Sequence, residues 1–125
     1  MRVTLNQMAT HDILVIADYL SIKVNGKLSL IDFKIITDEI LVICREKDIH
    51  KVVIDVIDSA GTFSDSDKIE FAKYASEKLK DDVIKYAYVY PHELLNYSSQ
   101  FVAQGRGLNV RAYYSLEDAL KWMEE

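Results

Sequence analysis

Little in this chain punctuates it. There is one proline, Pro91, one cysteine, Cys44, one tryptophan, and only four glycines among 125 residues. A single cysteine cannot close an internal disulfide, so the fold has to rest on its core. No apolar run approaches the roughly 20 residues that cross a bilayer, and no stretch has the charged, apolar and small-residue order of a signal peptide. The expectation is a protein of the reducing cytoplasm with no membrane span. Cations are scarce as well: Lys and Arg number 15 against 20 Asp and Glu, a net charge of -5. Binding to nucleic acid needs Lys and Arg gathered on one face, and no basic cluster is present. A nucleic-acid partner is therefore not expected.

What is present is apolar and orderly. Hydrophobic residues make up 50% of the chain and charged ones 28%, enough for one domain, residues 1–125, to bury a core of its own. "VTLNQMATHDILVIADYLSIKVNG" holds two strand-like runs broken near "THD", and the Asn25-Gly26 dipeptide reads as the turn that closes them. The second strand starts near Asp12 or near Tyr19. "LSLIDFKIITDEILVICREK" then repeats apolar residues at helical spacing. "KVVIDVI" is continuous and β-branched, as in a strand buried on both faces. "SDKIEFAKYASEKL" puts Phe71, Ala72, Ala75 and Leu79 on one helical face, and "IKYAYVYP" is a strand stopped by Pro91. "HELLNYSSQFVAQGRG" reads as a helix ended by Gly105 and Gly107, "LNVRAYY" as the last strand, and "SLEDALKWMEE" as a closing helix with Leu116, Ala119, Leu120 and Met123 inward. The alternation predicts an α/β fold: a mixed sheet of about five strands with four helices, in the order ββαβαβαβα, antiparallel at the N-terminal hairpin and parallel elsewhere.

Three of these helices start with one device. Ser29 and Asp32, Ser64 and Asp67, and Ser115 and Asp118 each place a hydroxyl to accept from a first-turn amide and an acid near the positive helix end. In "VVIDVIDSAGTFSDSDKIEF", Ser64 is thus a cap, and Asp58 to Phe63 an exposed loop in which Gly61 turns the chain while Asp58 or Ser59 bonds locally.

The first helix carries two apolar faces. At about 100° per residue, Phe33, Ile36, Ile40, Ile43 and Cys44 form the core stripe. Ile31, Ile35 and Val42 cluster on nearly the opposite side, among Asp38, Glu39 and Glu46. A helix lying on a sheet needs one apolar face, so this ridge is a candidate interface, expected to be solvent-facing in the monomer and used in self-association. The competing reading is a helix covered further by the chain's own N-terminal residues.

Catalytic chemistry is thin. His11, His50 and His92 lack metal-ligand spacing, Cys44 sits on the core stripe, and "QGRG" ends a helix where a phosphate cradle would open one. No catalytic, cofactor or metal site is expected. Tyr86, Tyr88 and Tyr90 share one strand face, as core with their hydroxyls toward the edge.

"VVIDV", the Gly61 loop, "KIEFAKYASEKL" and above all "FVAQGRGLNVRAYYSLEDALKW" resemble the STAS domains, the fold of the SpoIIAA-type anti-sigma-factor antagonists, and their small SpoIIAA-like relatives. The resemblance implies a non-enzymatic interaction or regulatory module that engages a protein partner or itself. It also implies a phosphoacceptor serine in an Asp-Ser-Ala-Gly motif, which stands here as Asp58, Ser59, Ala60 and Gly61. Asp65 and Asp67 would oppose a phosphate in that field. Lipid carriers related to this group suggest the alternative, a small carrier or sensor of an apolar ligand whose pocket is lined by Tyr86, Tyr88 and Tyr90.

Overall fold

The computed structural model describes residues 10–27, 29–56, 59–60, 65–89 and 109–125. An N-terminal hairpin pairs β1 (Thr10–Ile16) with β2 (Tyr19–Lys27), antiparallel over seven residues. Helix α1 (Leu30–Lys47) crosses over to β3 (Lys51–Asp55), and α2 (Asp65–Leu79) to β5 (Lys85–Val89). β6 (Asn109–Tyr113) precedes α3 (Leu116–Met123). The strands lie in the order β1-β2-β3-β5-β6, and every pairing after the hairpin is parallel.

The described elements run ββαββαββα, which differs from the expected order. One difference is an added strand. β4 (Ser59–Ala60) pairs with Gly26 and Lys27 of β2, continuing the path of β3 with the register advanced by one residue. The backbone of Ser59 and Ala60 therefore joins a ladder, where an exposed loop was expected. The second difference is that three helices are described, not four. The helix expected after Pro91 lies outside the described residues.

The turn expected to close the two strands at Asn25-Gly26 does not form there. Asn25 and Gly26 are interior to β2, where Asn25 faces Thr10 and Gly26 faces Ser59. Pairing on both sides overrides their local turn preference, and Gly26 spends its positive φ of 94° inside the strand. Between the two strands the chain reverses at Ala17 and Asp18, with Ala17 at φ 54°, so β2 starts at Tyr19, one of the two expected starts.

The core has two layers. Leu20, Ile22, Val24, Val52, Ile54 and Tyr88 alternate onto one face of the sheet, under Phe33, Ile36 and Ile40 of α1 and Phe71 of α2. Val53, Ala87 and Val89 point to the other face, where Ala119, Trp122 and Met123 of α3 cover them. The expected inward faces of α1 and α2 are buried, save that Ile43 is half-buried. In α3, Leu116 is 41% exposed and Trp122 takes a core place in its stead. Residues 119, 122 and 123 share the face over the strands, while Leu116 lies a turn earlier.

The caps at the described serines form as read. The Ser29 hydroxyl accepts from Asp32 N–H at 3.2 Å while Asp32 accepts from Ser29 N–H at 2.9 Å, a reciprocal capping box. Ser115 accepts from Asp118 N–H at 3.2 Å. Helix α2 starts at Asp65; Ser64 itself lies outside the described residues.

Candidate functional site

The outer face of α1 is the candidate site. Ile31 is 68% exposed, Ile35 47% and Val42 54%, while Phe33, Ile36 and Ile40 on the same helix are buried. The helix has to bury one stripe against the sheet, and about 100° per residue sends these three to the opposite side. Both flanks of the ridge are tied down. Toward α2, Asp38 accepts a hydrogen bond from the Tyr74 hydroxyl at 2.8 Å, and Lys34 and Lys78 sit over the Tyr74 ring at 5.1 and 5.5 Å. Toward β1, Glu39 meets His11 Nε2 at 2.8 Å. Farther along, Arg45 donates two hydrogen bonds to Asp82, at 3.2 and 2.9 Å. An apolar strip is thus held between polar anchors on a helix fixed along its length.

Two of the three tyrosines suggested for an apolar pocket are described, and both are packed into the core. Tyr86 and Tyr88 are buried in the α1 and α2 layer, their rings stacked at 6.1 Å, and Tyr88 meets Phe33 and Phe71 edge-on. Tyr90 lies outside the described residues. Two clefts open elsewhere. One of about 510 Å³ sits by His50, Lys51, Lys85 and Asn109, at the N-terminal ends of β3, β5 and β6. Another of about 300 Å³ lies by Asp18, Tyr19 and Leu120.

Beside Tyr86 lies Cys44. Burial, and then the charge of Asp82, push the Cys44 thiol up to about 11, which leaves it protonated and a poor nucleophile at neutral pH. Burial, with Cys44 and Asp82 near, raises the Tyr86 phenol well above its ordinary value. The Tyr86 hydroxyl has no hydrogen-bond partner among the described residues. A buried, unpaired hydroxyl costs roughly 1–3 kcal/mol. Tyr86→Phe is therefore expected to hold or raise stability, by up to about 1 kcal/mol. A urea titration that shows a loss would mean that the hydroxyl is satisfied.

The remaining candidates separate. Of the Asp58, Ser59, Gly61 and Ser64 set, the backbone of Ser59 is placed in β4; the other three lie outside the described residues, as does His92. His50 meets Asp48 at 3.0 Å and the Val83 carbonyl at 3.1 Å, far from the His11–Glu39 pair. Among the described residues, no group of three or more His, Cys, Asp and Glu could hold a metal ion, and no helix is long and apolar enough to cross a membrane. Sequence reasoning missed the exposed side chains of β1. The signal was there, in the unbroken "ILVI" from Ile13 to Ile16.

No protein-family model matches the chain, and no curated protein matches it in sequence. Solved structures do. An anti-sigma factor antagonist from Mycobacterium paratuberculosis superposes with a TM-score of 0.64 at 14% identity, covering 94% of this chain and 95% of that one. RsbS of Moorella thermoacetica, in a serine-to-glutamate variant, gives 0.59 at 13% identity, over 90% and 93%. An uncharacterised DUF3478-family protein with a SpoIIAA-like fold, from Shewanella loihica, gives 0.54 at 21% identity, over 98% of both chains.

Proposed function

From this SpoIIAA-like (STAS) fold, we propose that the protein is a non-enzymatic regulatory module that works by protein contact, with the outer ridge of α1 as its contact surface toward a protein partner or a second copy. The ridge carries this reading. Ile31, Ile35 and Val42 are each about half exposed or more on a helix whose other face already fills the core. Leaving such side chains in water forgoes on the order of 1.5–3 kcal/mol each relative to burial. Lys34 and Lys78 border the strip along with Asp38, Glu39 and Glu46, and Asp38 and Glu39 are already held by Tyr74 and His11, so the surface suits a partner recognised by its apolar side chains. Two of the similar structures are an anti-sigma factor antagonist and RsbS, which supports a regulatory role over a catalytic one.

A photoreactive benzoylphenylalanine in place of Ile31 tests the surface in host cells. Crosslinks to protein are expected from it, and Ile35→Glu in the same chain should abolish them while leaving the far-UV spectrum unchanged, because Ile35 is 47% exposed. The same group placed at Val83, which is 86% exposed and lies beyond the C-terminal end of α1, the opposite end from Ile31, is the control. Equal crosslinking from both positions would overturn the reading.

A further inference from the structure

Strand β1 pairs with β2 on one side and, among the described residues, with nothing on the other. Edge strands are ordinarily shielded by lysine, proline or a bulge. β1 has none of these. Its register against β2 runs unbroken from Thr10 to Ile16, and Leu14, Val15 and Ile16 are 59%, 49% and 40% exposed.

The direction of the free backbone groups follows from the turn. Ile16 and Tyr19 close a two-residue loop, and such a closing pair exchanges both of its hydrogen bonds. Leu14 and Asp12, in phase with Ile16, therefore aim N–H and C=O at β2. Val15, Ile13 and His11 aim theirs outward.

We infer that this edge pairs with the same edge of a second copy, antiparallel about a two-fold axis at Leu14. The strand is complementary to itself in that register. Ile13 faces Val15 on either side of the axis, and both present outward groups, so the ladder continues from one chain into the next. Leu14 meets Leu14, and Asp12, the strand's one acid, falls opposite Ile16. No like charges oppose each other within the strand pair. The nearest like charges are the two Asp12 carboxylates, each two residues from the axis and so roughly 14 Å apart at about 3.4 Å per residue. The two His11–Glu39 pairs, each three residues from the axis, stand roughly 20 Å apart, and both separations exceed the screening length of about 10 Å at 0.1 M salt. A net charge of -5 per chain therefore opposes pairing only weakly. The two sheets become one, and the α1 ridge of each copy, on the far side of its helix from the sheet, stays open to other proteins.

Sedimentation equilibrium of the full chain decides this. The wild type is expected to form a reversible dimer. Val15→Pro removes an outward N–H that the β1–β2 ladder does not use, so it should stay folded and become monomeric. Leu14→Lys sets two ammonium groups face to face and should weaken dimerisation about tenfold or more; it alters a side chain that is 59% exposed, so it decides the matter even if Val15→Pro unfolds. Ile35→Glu should leave the dimer intact. A wild type that is monomeric throughout would overturn the proposal, as would a dimer that survives Leu14→Lys. A dimer broken by Ile35→Glu alone would move the copy-to-copy contact to the α1 ridge and sink the edge pairing while sparing the ridge reading.

Discussion

Phe33→Ala is expected to lower folding stability by about 3–5 kcal/mol, a large share of the roughly 5–15 kcal/mol that holds a domain together. Phe33 is 2% exposed and sits where α1, α2 and the sheet meet. Its ring lies 4.5 Å from that of Phe71 and 6.1 Å from that of Tyr88, and those two are 6.0 Å apart edge to face, so three elements share one aromatic cluster. Ile36 and Ile40 fill the next turns of the helix and cannot swing into the gap, because each is already fully buried. The cavity should therefore stay open, and its cost adds to the lost transfer energy. Urea denaturation followed by far-UV circular dichroism measures the difference. A loss under about 1.5 kcal/mol would mean that the cluster collapses around the missing ring. Phe33→Leu, which keeps much of the volume, should cost distinctly less.

Trp122→Ala should have an effect of similar size, about 3–5 kcal/mol, for a different reason. Helix α3 is only eight residues long, too short to be stable by itself. It holds to the sheet through Ala119, Trp122 and Met123 over Val53, Ala87 and Val89. Trp122 is the largest of these contacts and also holds two cations: Lys85 Nζ lies 4.7 Å from the ring and the Arg111 guanidinium 5.3 Å. Lys85 also donates to the Trp122 carbonyl, so the lysine ties β5 to α3 twice. Without the indole, the helix should detach while the α1 and α2 layer persists. Hydrogen exchange would then show amides 116–123 losing protection before those of α1. Trp122→Phe should recover most of the loss, since a ring still covers Ala87 and still faces the cations. If alanine and phenylalanine cost the same, the indole shape itself is what the site needs.

Much of this architecture could be read from periodicity. The buried stripe of α1, the four inward residues of α2 and the doubly buried β3 follow from spacings of about 3.6 and 2 residues, because each element has to give its apolar side to a neighbour. The same arithmetic exposed the ridge of Ile31, Ile35 and Val42, since a helix on a sheet has one inward side. The serine caps at Ser29 and Ser115 were legible for a similar reason: a serine and the acid three residues on meet within one turn, with nothing borrowed from elsewhere in the chain.

What sequence could not decide was everything set by a distant partner. Asn25-Gly26 carries a strong local turn signal, yet Thr10 on one side and Ser59 on the other hold it in a strand. The register of seven cross-strand pairs chose Tyr19 over Asp12 as the start of β2 and put the reversal at Ala17 and Asp18. The short β4 exists because β2 runs on past β3 and offers hydrogen-bond partners to Ser59 and Ala60. In α3, Trp122 rather than Leu116 joined Ala119 and Met123 over Val53, Ala87 and Val89, a choice made by the strands beneath the helix. Sequence alone determined which residues had to leave water and the periods at which they recur. Only the tertiary structure decided which strand lies at the edge and where the chain turns, because those choices belong to pairs of residues far apart in the chain.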